Sequence, residues 1–262
     1  MKLPPGETNT SPYTLNPLET YLGRGNYERL AGTHSSYETI CDLIAKTDPA
    51  TIIAVDGPSN GGKTTFTETF IDFYRTQNIP ITFIPLDYFL TDRRTRSDLT
   101  AAIAEGRIGI DNYSQLAWEQ ERFRETIQCV KTIAQSSQEV QEIAIPNVYN
   151  RQTGDKADTK TISVEPGAII ITEGVGIQIY HHDLFDLTVR VDTYDDKIIL
   201  ERLRMRELQK HDAALRLDDS FLKERLQQVD IPHTHYLRDN APSAHFVIDT
   251  SCFEEMAVYR HR

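Results

Sequence analysis

Residues 51–64 read Thr-Ile-Ile-Ala-Val-Asp-Gly-Pro-Ser-Asn-Gly-Gly-Lys-Thr, and this stretch decides the fold class. Its first five residues form an almost wholly apolar run, which predicts a short strand buried on both faces of a parallel sheet. Residues 57–64 match GxxxxGK[ST], the pattern of a loop that holds phosphates between a strand and a helix. The sequence therefore predicts a P-loop fold in which a helix runs from about Lys63 to Thr76.

The residue types of this loop suit phosphate binding. Glycine allows the tight turns that aim several backbone N–H groups at phosphate oxygens, and the helix N-terminus adds a partial positive charge. Lys63 would supply a mobile positive charge for the β- and γ-phosphates, and the Thr64 hydroxyl would hold Mg²⁺. We expect the nucleotide contacts to come from Gly57, Ser59, Asn60, Gly61, Gly62, Lys63, Thr64 and Thr65. The loop thus predicts binding of a nucleoside triphosphate, with ATP as the expected donor, together with Mg²⁺.

The rest of the chain alternates strand and helix patterns. Further strands are predicted near residues 81–84, 142–145, 168–172, 187–191 and 245–249, and helices near 37–46, 114–135, 195–210 and 218–228. This alternation favours an α/β fold with an open parallel sheet flanked by helices and right-handed crossovers. The first 35 residues are rich in Pro, Thr, Asn and Ser. We therefore expect an extended N-terminal arm over residues 1–35 and a single P-loop domain over residues 36–262.

The composition argues against several classes of protein. The chain has 262 residues and a net charge of −11, and so acidic a protein is a poor candidate for coating nucleic acid. Its longest aliphatic run, Ala168–Ile171, falls far short of the about 20 apolar residues of a membrane-spanning helix, and residues 1–7 lack the apolar core of a secretory signal. Cys41, Cys129 and Cys252 lie far apart, which suits a reducing compartment and gives no disulfide framework or zinc site. We expect a cytoplasmic protein that binds neither nucleic acid nor membrane, and the sequence leaves homo-oligomerisation open.

The sequence lacks the motifs of switch GTPases. Those proteins usually carry a DxxG segment and an [NT]KxD motif that reads the base. No Asp in this chain has Gly three residues later, and the nearest candidate for the second motif, Asp155-Lys156-Ala157-Asp158, has the wrong first residue. A GTPase is therefore not expected.

Two acidic residues follow predicted strands. Asp87 comes just after the strand at 81–84, and Glu173 directly follows the strand at 168–172. Active sites of open α/β sheets lie at the carboxyl ends of the strands, so Asp87 can face the γ-phosphate and accept a proton from an attacking hydroxyl. Glu173 is suited to support Mg²⁺, usually through water. The alternatives are an Asp87 that caps a loop and a Glu173 that faces solvent.

The helix predicted at 195–210 carries a cationic stripe. Arg202 and Arg206 are one turn apart and share a face. Such an arginine-bearing lid helix can close over the phosphates as negative charge develops during transfer. Glu201 and Glu207 offer the alternative of a solvated face with exposed ion pairs.

Three other residues have simpler interpretations. His233 and His235 have no third metal ligand nearby in the sequence, so we interpret them as surface or hydrogen-bonding histidines. Trp118 lies within an apolar helical stripe and is expected in the core.

With these residues in hand, the chain resembles the uridine kinase and phosphoribulokinase family of P-loop kinases over about residues 50–210. Five further segments follow the P-loop in the family's order and approximate spacing. They are Asp87-Tyr88-Phe89, Ile110 to Trp118, Pro146 to Asn150, Ile171 to Gly174, and Val191 to Thr193 with Arg202 to Arg206. The resemblance implies that the P-loop domain is a kinase domain.

The resemblance also implies roles for single residues. Asp87 would be the catalytic base, and Lys63 with the lid arginines Arg202 and Arg206 would be the catalytic cations around the phosphates. The implied metal ligands are Thr64 and Glu173, and the implied substrate contacts are Asp111, Tyr149 and Arg151.

One departure from the family bears on the acceptor. Uridine kinases usually have Tyr-Asp followed shortly by His and Arg, whereas this chain has Tyr149-Asn150-Arg151 and no matching His. The leading prediction is an ATP- and Mg²⁺-dependent kinase that phosphorylates the 5′-hydroxyl of a nucleoside. The alternatives are another alcohol acceptor, such as pantothenate, a sugar phosphate or an antibiotic, and a regulatory P-loop ATPase that uses hydrolysis as a switch.

Overall fold

The computed structural model of the protein describes residues 17–30, 36–47, 51–150, 153–208, 226–252 and 256–262. Its helices are α1 (Pro17–Leu22), α2 (Tyr37–Thr47), α3 (Lys63–Thr76), α4 (Arg93–Ala104), α5 (Asp111–Ala117), α6 (Gln120–Ser136), α7 (Ile177–His181), α8 (Asp196–Leu208) and α9 (Ile231–Asn240). Its strands are β1 (Tyr27–Arg29), β2 (Ile52–Asp56), β3 (Ile81–Phe83), β4 (Gln141–Tyr149), β5 (Lys156–Val164), β6 (Ile169–Gly174), β7 (Leu187–Asp192), β8 (Phe246–Asp249) and β9 (Ala257–His261). Within this described part of the chain, no helix combines the length and apolar character needed to cross a membrane.

Seven strands form one open sheet in the order β1-β9-β8-β7-β2-β6-β3. The neighbours β8, β7, β2, β6 and β3 run parallel. At one edge β9 pairs antiparallel with β8, and β1 pairs antiparallel with β9. This topology confirms the predicted α/β fold with an open, mostly parallel sheet. The strand predicted at 245–249 is β8, and an unpredicted strand, β9, follows it in the chain. Strands β4 and β5 form a separate antiparallel hairpin.

Strands β2 and β7 are buried along their whole length, because helices cover both faces of the sheet. On one face, Ile53 of β2 packs in a hydrophobic core with Phe66 of α3. On the other face, Ile52 of β2 packs in a second core with Phe123 of α6. Successive strand residues therefore enter opposite cores, which explains why the parallel strands read as nearly continuous apolar runs.

Residues 17–30, which belong to the segment expected as an extended arm, form helix α1 and edge strand β1. Leu18 and Tyr21 are buried and pack with Ala244 in a small third core. Strand β1 pairs with β9 at the edge of the sheet. Pro17 occupies the first position of α1, where its missing N–H costs no helical hydrogen bond. These residues are thus helical and then part of the sheet, while the domain boundary at residue 35 stays a prediction.

One predicted helix differs in the structure. The helix predicted over 114–135 is two helices, α5 and α6, because Trp118 between them is extended and forms an antiparallel bridge with Leu90. Trp118 is buried in the core, as predicted. The sequence patterns do not predict β5, and most of the helix predicted at 218–228 lies outside the described residues.

Candidate active site

The P-loop lies between β2 and α3, as predicted, and the end of β7 lies against it. Gly57 has a φ of +147°, and a Cβ at this position would come within 2.1 Å of the Val191 carbonyl oxygen. Gly62, the last residue before α3, has a φ of +101°. Side chains strongly disfavour such backbone angles, and the close approach at Gly57 leaves no room for one. Glycine is therefore required both by the turns of the loop and by its packing against β7.

Lys63 begins α3 and is 5% exposed. Its Nζ donates a hydrogen bond to the Pro58 carbonyl oxygen at 2.7 Å and lies 4.0 Å from Glu173 Oε1. Burial lowers the pKa of Lys63, and nearby carboxylates act in the opposite direction. These carboxylates belong to Glu173, Asp56, Asp87 and Asp192. Lys63 is thus a desolvated cation held by the loop at the point where the sequence predicts the phosphates.

Thr64 and Glu173 meet beside Lys63. The Thr64 hydroxyl donates a hydrogen bond to Glu173 Oε2 at 3.2 Å. Mg²⁺ prefers oxygen ligands and usually keeps several waters when one or two protein groups hold it. This pair of oxygens therefore fits Mg²⁺, and the assignment of Thr64 and Glu173 as its ligands stays a prediction.

Asp87 lies on a one-turn 3₁₀ helix directly after β3. This turn packs on the end of β6, since a Cβ on Gly174 would lie 2.6 Å from the Leu86 Cβ. Asp87 therefore lies beside the end of β6, which carries Glu173, and the charge of Asp87 opposes the lowering of the Lys63 pKa. Asp87, Lys63 and Glu173 therefore come together at the edge of the sheet where sites of open α/β folds are found. The role of Asp87 as a base stays a prediction.

The guanidinium of Arg202, on helix α8, is held by residues beside the P-loop. Its Nη1 donates hydrogen bonds to the Asn60 carbonyl oxygen at 3.3 Å and to Thr250 Oγ1 at 3.1 Å. Its Nη2 donates to the Thr250 carbonyl oxygen at 2.6 Å, and burial lowers the pKa of Arg202. Helix α8 is present as predicted, and Arg202 is tied to the loop rather than solvated. The side chain of Arg206 lies outside the described part, so the predicted clamping of phosphates by the two arginines stays a prediction.

Asp111 is the first residue of α5 and is exposed. Its carbonyl oxygen accepts a hydrogen bond from the Tyr180 hydroxyl at 3.2 Å. Arg151 lies outside the described residues. The predicted substrate contacts of Asp111 and Arg151 therefore stay predictions.

Tyr149, at the end of β4, is covered by an arginine that the sequence reasoning missed. The Arg96 guanidinium, on α4, lies 4.4 Å from the centroid of the Tyr149 ring and also donates a hydrogen bond to the Tyr149 hydroxyl. Guanidinium groups stack on aromatic faces in this way. The sequence signal for Arg96 is the basic run at 93–96, which follows Asp87 closely.

A buried network of charges joins β2 and β7 to the start of α8. Arg190 is fully buried and donates hydrogen bonds to Asp56 Oδ2 at 3.1 Å and to Asp192 Oδ2 at 3.4 Å. Arg238 of α9 donates to both carboxylate oxygens of Asp192 at 3.2 Å and to Asp196 Oδ1 at 3.0 Å. Buried charges persist only when they are paired and hydrogen-bonded. The network therefore fixes the end of β7 relative to the start of the lid helix.

The two histidines of α9 make hydrogen bonds. His233 is buried and shares a hydrogen bond with the Ser114 hydroxyl, and burial lowers the pKa of His233 to about 4. His235 is paired with Asp196 Oδ2 at 2.8 Å, and this hydrogen bond raises the pKa of His235. Among the residues that the structure describes, no group of three His, Cys, Asp or Glu side chains could hold a metal ion. Both histidines are thus hydrogen-bonded in the structure.

Burial of His233 predicts a fold that is sensitive to acid. The unfolded chain takes up a proton on a histidine below about pH 6.5, while folding keeps His233 neutral until about pH 4. Between these values the unfolded state binds more protons, so the free energy of unfolding falls as the pH falls, by roughly 3 kcal/mol at most. We expect His233→Gln to remove this part of the pH dependence of urea unfolding.

His181 provides an independent test of the same effect. Burial also lowers the pKa of His181 to about 4. His181→Gln should therefore remove a second part of the pH dependence, and the double variant should remove both. A His233→Gln protein that loses stability with acid as steeply as the wild type would contradict the assignment.

Comparison with known proteins identifies relatives of the chain. The family model described as "Phosphoribulokinase / Uridine kinase family" matches residues 52–245. The matched segment contains the P-loop, Asp87, Glu173 and helix α8. The chain has no match among the curated proteins searched.

Solved structures share the fold. A protein from Silicibacter sp. TM1040, assigned as a fructose transport system kinase, has a TM-score of 0.56 at 17% identity, with 80% of this chain and 97% of that chain covered. D-glycerate 3-kinase from Cryptococcus neoformans var. grubii has a TM-score of 0.55 at 11% identity, with coverage of 82% and 93%. Phosphoribulokinase from Rhodobacter spheroides has a TM-score of 0.51 at 14% identity, with coverage of 80% and 79%. At these identities the likeness shows the fold, and the substrates in these names belong to those proteins.

Proposed function

We propose that this chain, which belongs to the phosphoribulokinase / uridine kinase family of kinases, transfers the γ-phosphoryl group of ATP, with Mg²⁺, to a hydroxyl of a small molecule. The observation that carries the proposal is the meeting of Lys63, Glu173 and Asp87 beside the P-loop. The loop and Lys63 suit a triphosphate. Asp87 adds a carboxylate, which phosphate binding alone does not require but which can accept the proton of a hydroxyl acceptor.

Each of these side chains has a role in the transfer step. The acceptor oxygen bonds to the γ-phosphorus while its proton passes to the Asp87 carboxylate, which also orients the hydroxyl. The bond from the γ-phosphorus to the β–γ bridging oxygen breaks, and Lys63 neutralises the negative charge that ADP carries away. Thr64 and Glu173 would hold Mg²⁺, which when bound neutralises charge on the phosphate oxygens.

The 5′-hydroxyl of a nucleoside is the first candidate acceptor. Its support is the resemblance of the motifs to those of uridine kinases, in which Asp111 and Tyr149 are the implied contacts. The pair Tyr149-Asn150 departs from the usual Tyr-Asp, and one face of the Tyr149 ring is covered by Arg96. A base could then stack on Tyr149 only from the opposite face or after Arg96 has moved.

Arg96 favours a second candidate, an alcohol that also carries an anionic group, such as a sugar phosphate or pantothenate. A guanidinium has five N–H donors, so Arg96 keeps donors beyond the one bound to Tyr149. Arginine binds phosphates and carboxylates through paired hydrogen bonds. An anionic acceptor would use this charge, whereas an uncharged nucleoside would not.

A phosphorylation screen tests both candidates. The purified protein is given ATP, Mg²⁺ and one acceptor at a time, chosen from nucleosides, sugar phosphates, pantothenate and aminoglycosides, and the phosphorylated product is measured by mass spectrometry. Turnover of a nucleoside supports the first candidate. Turnover of an anionic alcohol that falls at least tenfold in Arg96→Leu, but not in the exposed control Arg94→Leu, supports the second.

The same preparation distinguishes a kinase from a regulatory ATPase. ATP hydrolysis that needs no acceptor and survives the loss of Asp87, with no product from any alcohol, would contradict the proposed function. Acceptor-dependent release of ADP would support it.

A further inference from the structure

Thr250 is a fully buried residue that directly follows β8 and lies beyond the segment matched by the family model. Its hydroxyl lies 2.9 Å from the Gly61 carbonyl oxygen and 3.1 Å from the Asp192 carbonyl oxygen. The same hydroxyl accepts a hydrogen bond from Arg202 Nη1 at 3.1 Å. One threonine thus contacts the P-loop, the end of β7 and the lid helix.

The contact with Gly61 bears on the phosphate-binding side of the loop. A trans peptide is planar, so its C=O and the N–H of the next residue point in opposite directions. Within the described residues no peptide bond is cis. When Thr250 holds the carbonyl of Gly61 on one side, the N–H of Gly62 is aimed at the other side. The Thr250 hydroxyl therefore fixes the direction of a backbone donor at the start of α3.

The backbone of Thr250 adds two more links. Its N–H donates to the Asp192 carbonyl oxygen at 2.8 Å, and its carbonyl oxygen accepts from Arg202 Nη2 at 2.6 Å. Asp192 is the last residue of β7, and its carboxylate is held by Arg190 and Arg238. Thr250 therefore links the P-loop, the end of β7 and the Arg202 side chain of the lid helix.

We propose that Thr250 is a positioning residue for the nucleotide site, which orients the Gly61–Gly62 peptide toward the phosphates and couples the P-loop to helix α8 through Arg202. The inference rests on the proposed function in one respect, that the P-loop binds ATP. Thr250 acts through the P-loop and through Arg202, and it needs no direct contact with substrate.

The test compares three threonine variants by ATP affinity, measured by calorimetry without acceptor. Thr250→Val keeps the shape and removes the hydroxyl, and it should weaken ATP binding at least tenfold. Thr250→Ser keeps the hydroxyl and should bind within threefold of the wild type. The matched control is Thr188→Val, since Thr188 is a buried threonine of β7 whose hydroxyl bonds to His245 rather than to the P-loop. Thr188→Val should lower the melting temperature and leave ATP affinity within twofold.

A double variant tests the coupling to the lid helix. If Thr250 positions Arg202, the two substitutions act partly through the same contact. The double variant Arg202→Gln/Thr250→Val should then weaken ATP binding by a factor clearly smaller than the product of the factors for the two single variants. Independent effects that multiply would contradict the coupling.

The outcomes separate this inference from the proposed function. If Thr250→Val binds ATP as tightly as the wild type, the proposed role of Thr250 is overturned and the kinase proposal stands. Thr250→Ser as weak as Thr250→Val, or Thr188→Val equally weak, also overturns it, because the loss would then follow from damage to the fold. A wild-type protein that binds no ATP would overturn the proposed function and this inference with it.

Discussion

Replacing Lys63 with alanine should lower kcat for phosphoryl transfer at least 100-fold, which is equivalent to about 2.7 kcal/mol or more of activation free energy. Charge on the transferred group must be neutralised in the transition state, and Lys63 is the cation that the loop motif itself carries. Its Nζ is already desolvated and held by the Pro58 carbonyl oxygen, so it needs little reorganisation when phosphates arrive. In a dry site such a charge acts more strongly than in water.

Two further variants show that the loss comes from the charge. Lys63→Met keeps the aliphatic stem and should lose about as much kcat as Lys63→Ala. Lys46→Ala removes an exposed lysine of α2 that pairs with Asp42, and it should keep the wild-type kcat. All three proteins should unfold cooperatively. Retention of more than a tenth of the wild-type kcat in Lys63→Ala would exclude Lys63 as the phosphate clamp.

The P-loop and its flanking elements could be predicted because their determinants are local. The apolar run before Gly57 specifies a buried strand, and the glycines and Lys63 follow it without a gap. The helix predicted from about Lys63 to Thr76 has those bounds in the structure. The placement of Asp87 and Glu173 at the same edge of the sheet also follows from a general rule, since the carboxyl ends of parallel strands share one edge.

The buried charge network could not be predicted as a whole, because most of its partners are distant in the chain and only the pair Arg190–Asp192 is local. Arg190 lies 134 residues from Asp56, its partner in β2. In the sequence Arg190 interrupts an apolar strand, and nothing local shows that Asp56 helps to neutralise it. Arg238 and its contact with Asp192 are equally remote. Sheet order and helix packing create these pairs, and both depend on the whole fold.

One error of secondary structure has the same origin. The apolar spacing continues through Trp118, so periodicity predicts one helix, and the break arises from the pairing of Trp118 with Leu90 across the fold. Strand β5 is missed for a different reason. Residues 158–161 are all polar, so the alternation of polar and apolar residues that marks a half-buried strand is confined to the last four residues, 161–164.

Replacing Asp87 with asparagine should lower the rate of phosphoryl transfer by about 10²–10⁴-fold, the range of general-base catalysis. The change keeps the shape of the side chain and removes both its negative charge and its capacity to accept a proton. ATP affinity should stay within about threefold of the wild type, because Asp87 lies on the turn after β3 rather than on the P-loop. Slow hydrolysis without acceptor should change much less than transfer, since water needs no fixed acceptor pocket.

The measurement pairs ATP affinity from calorimetry with transfer and hydrolysis rates on one preparation, and Asp98→Asn is the matched control. Asp98 is an exposed aspartate of α4, so the same loss of one charge there should leave all three quantities unchanged. Equal losses of the transfer and hydrolysis rates in Asp87→Asn would indicate that Asp87 supports Mg²⁺. In that case the ATP affinity of Asp87→Asn would differ from that of the wild type in the presence of Mg²⁺ and would equal it in the absence of Mg²⁺. An unchanged transfer rate would remove Asp87 from the reaction, because a carboxylate that orients the hydroxyl and accepts its proton cannot be replaced by an amide without loss.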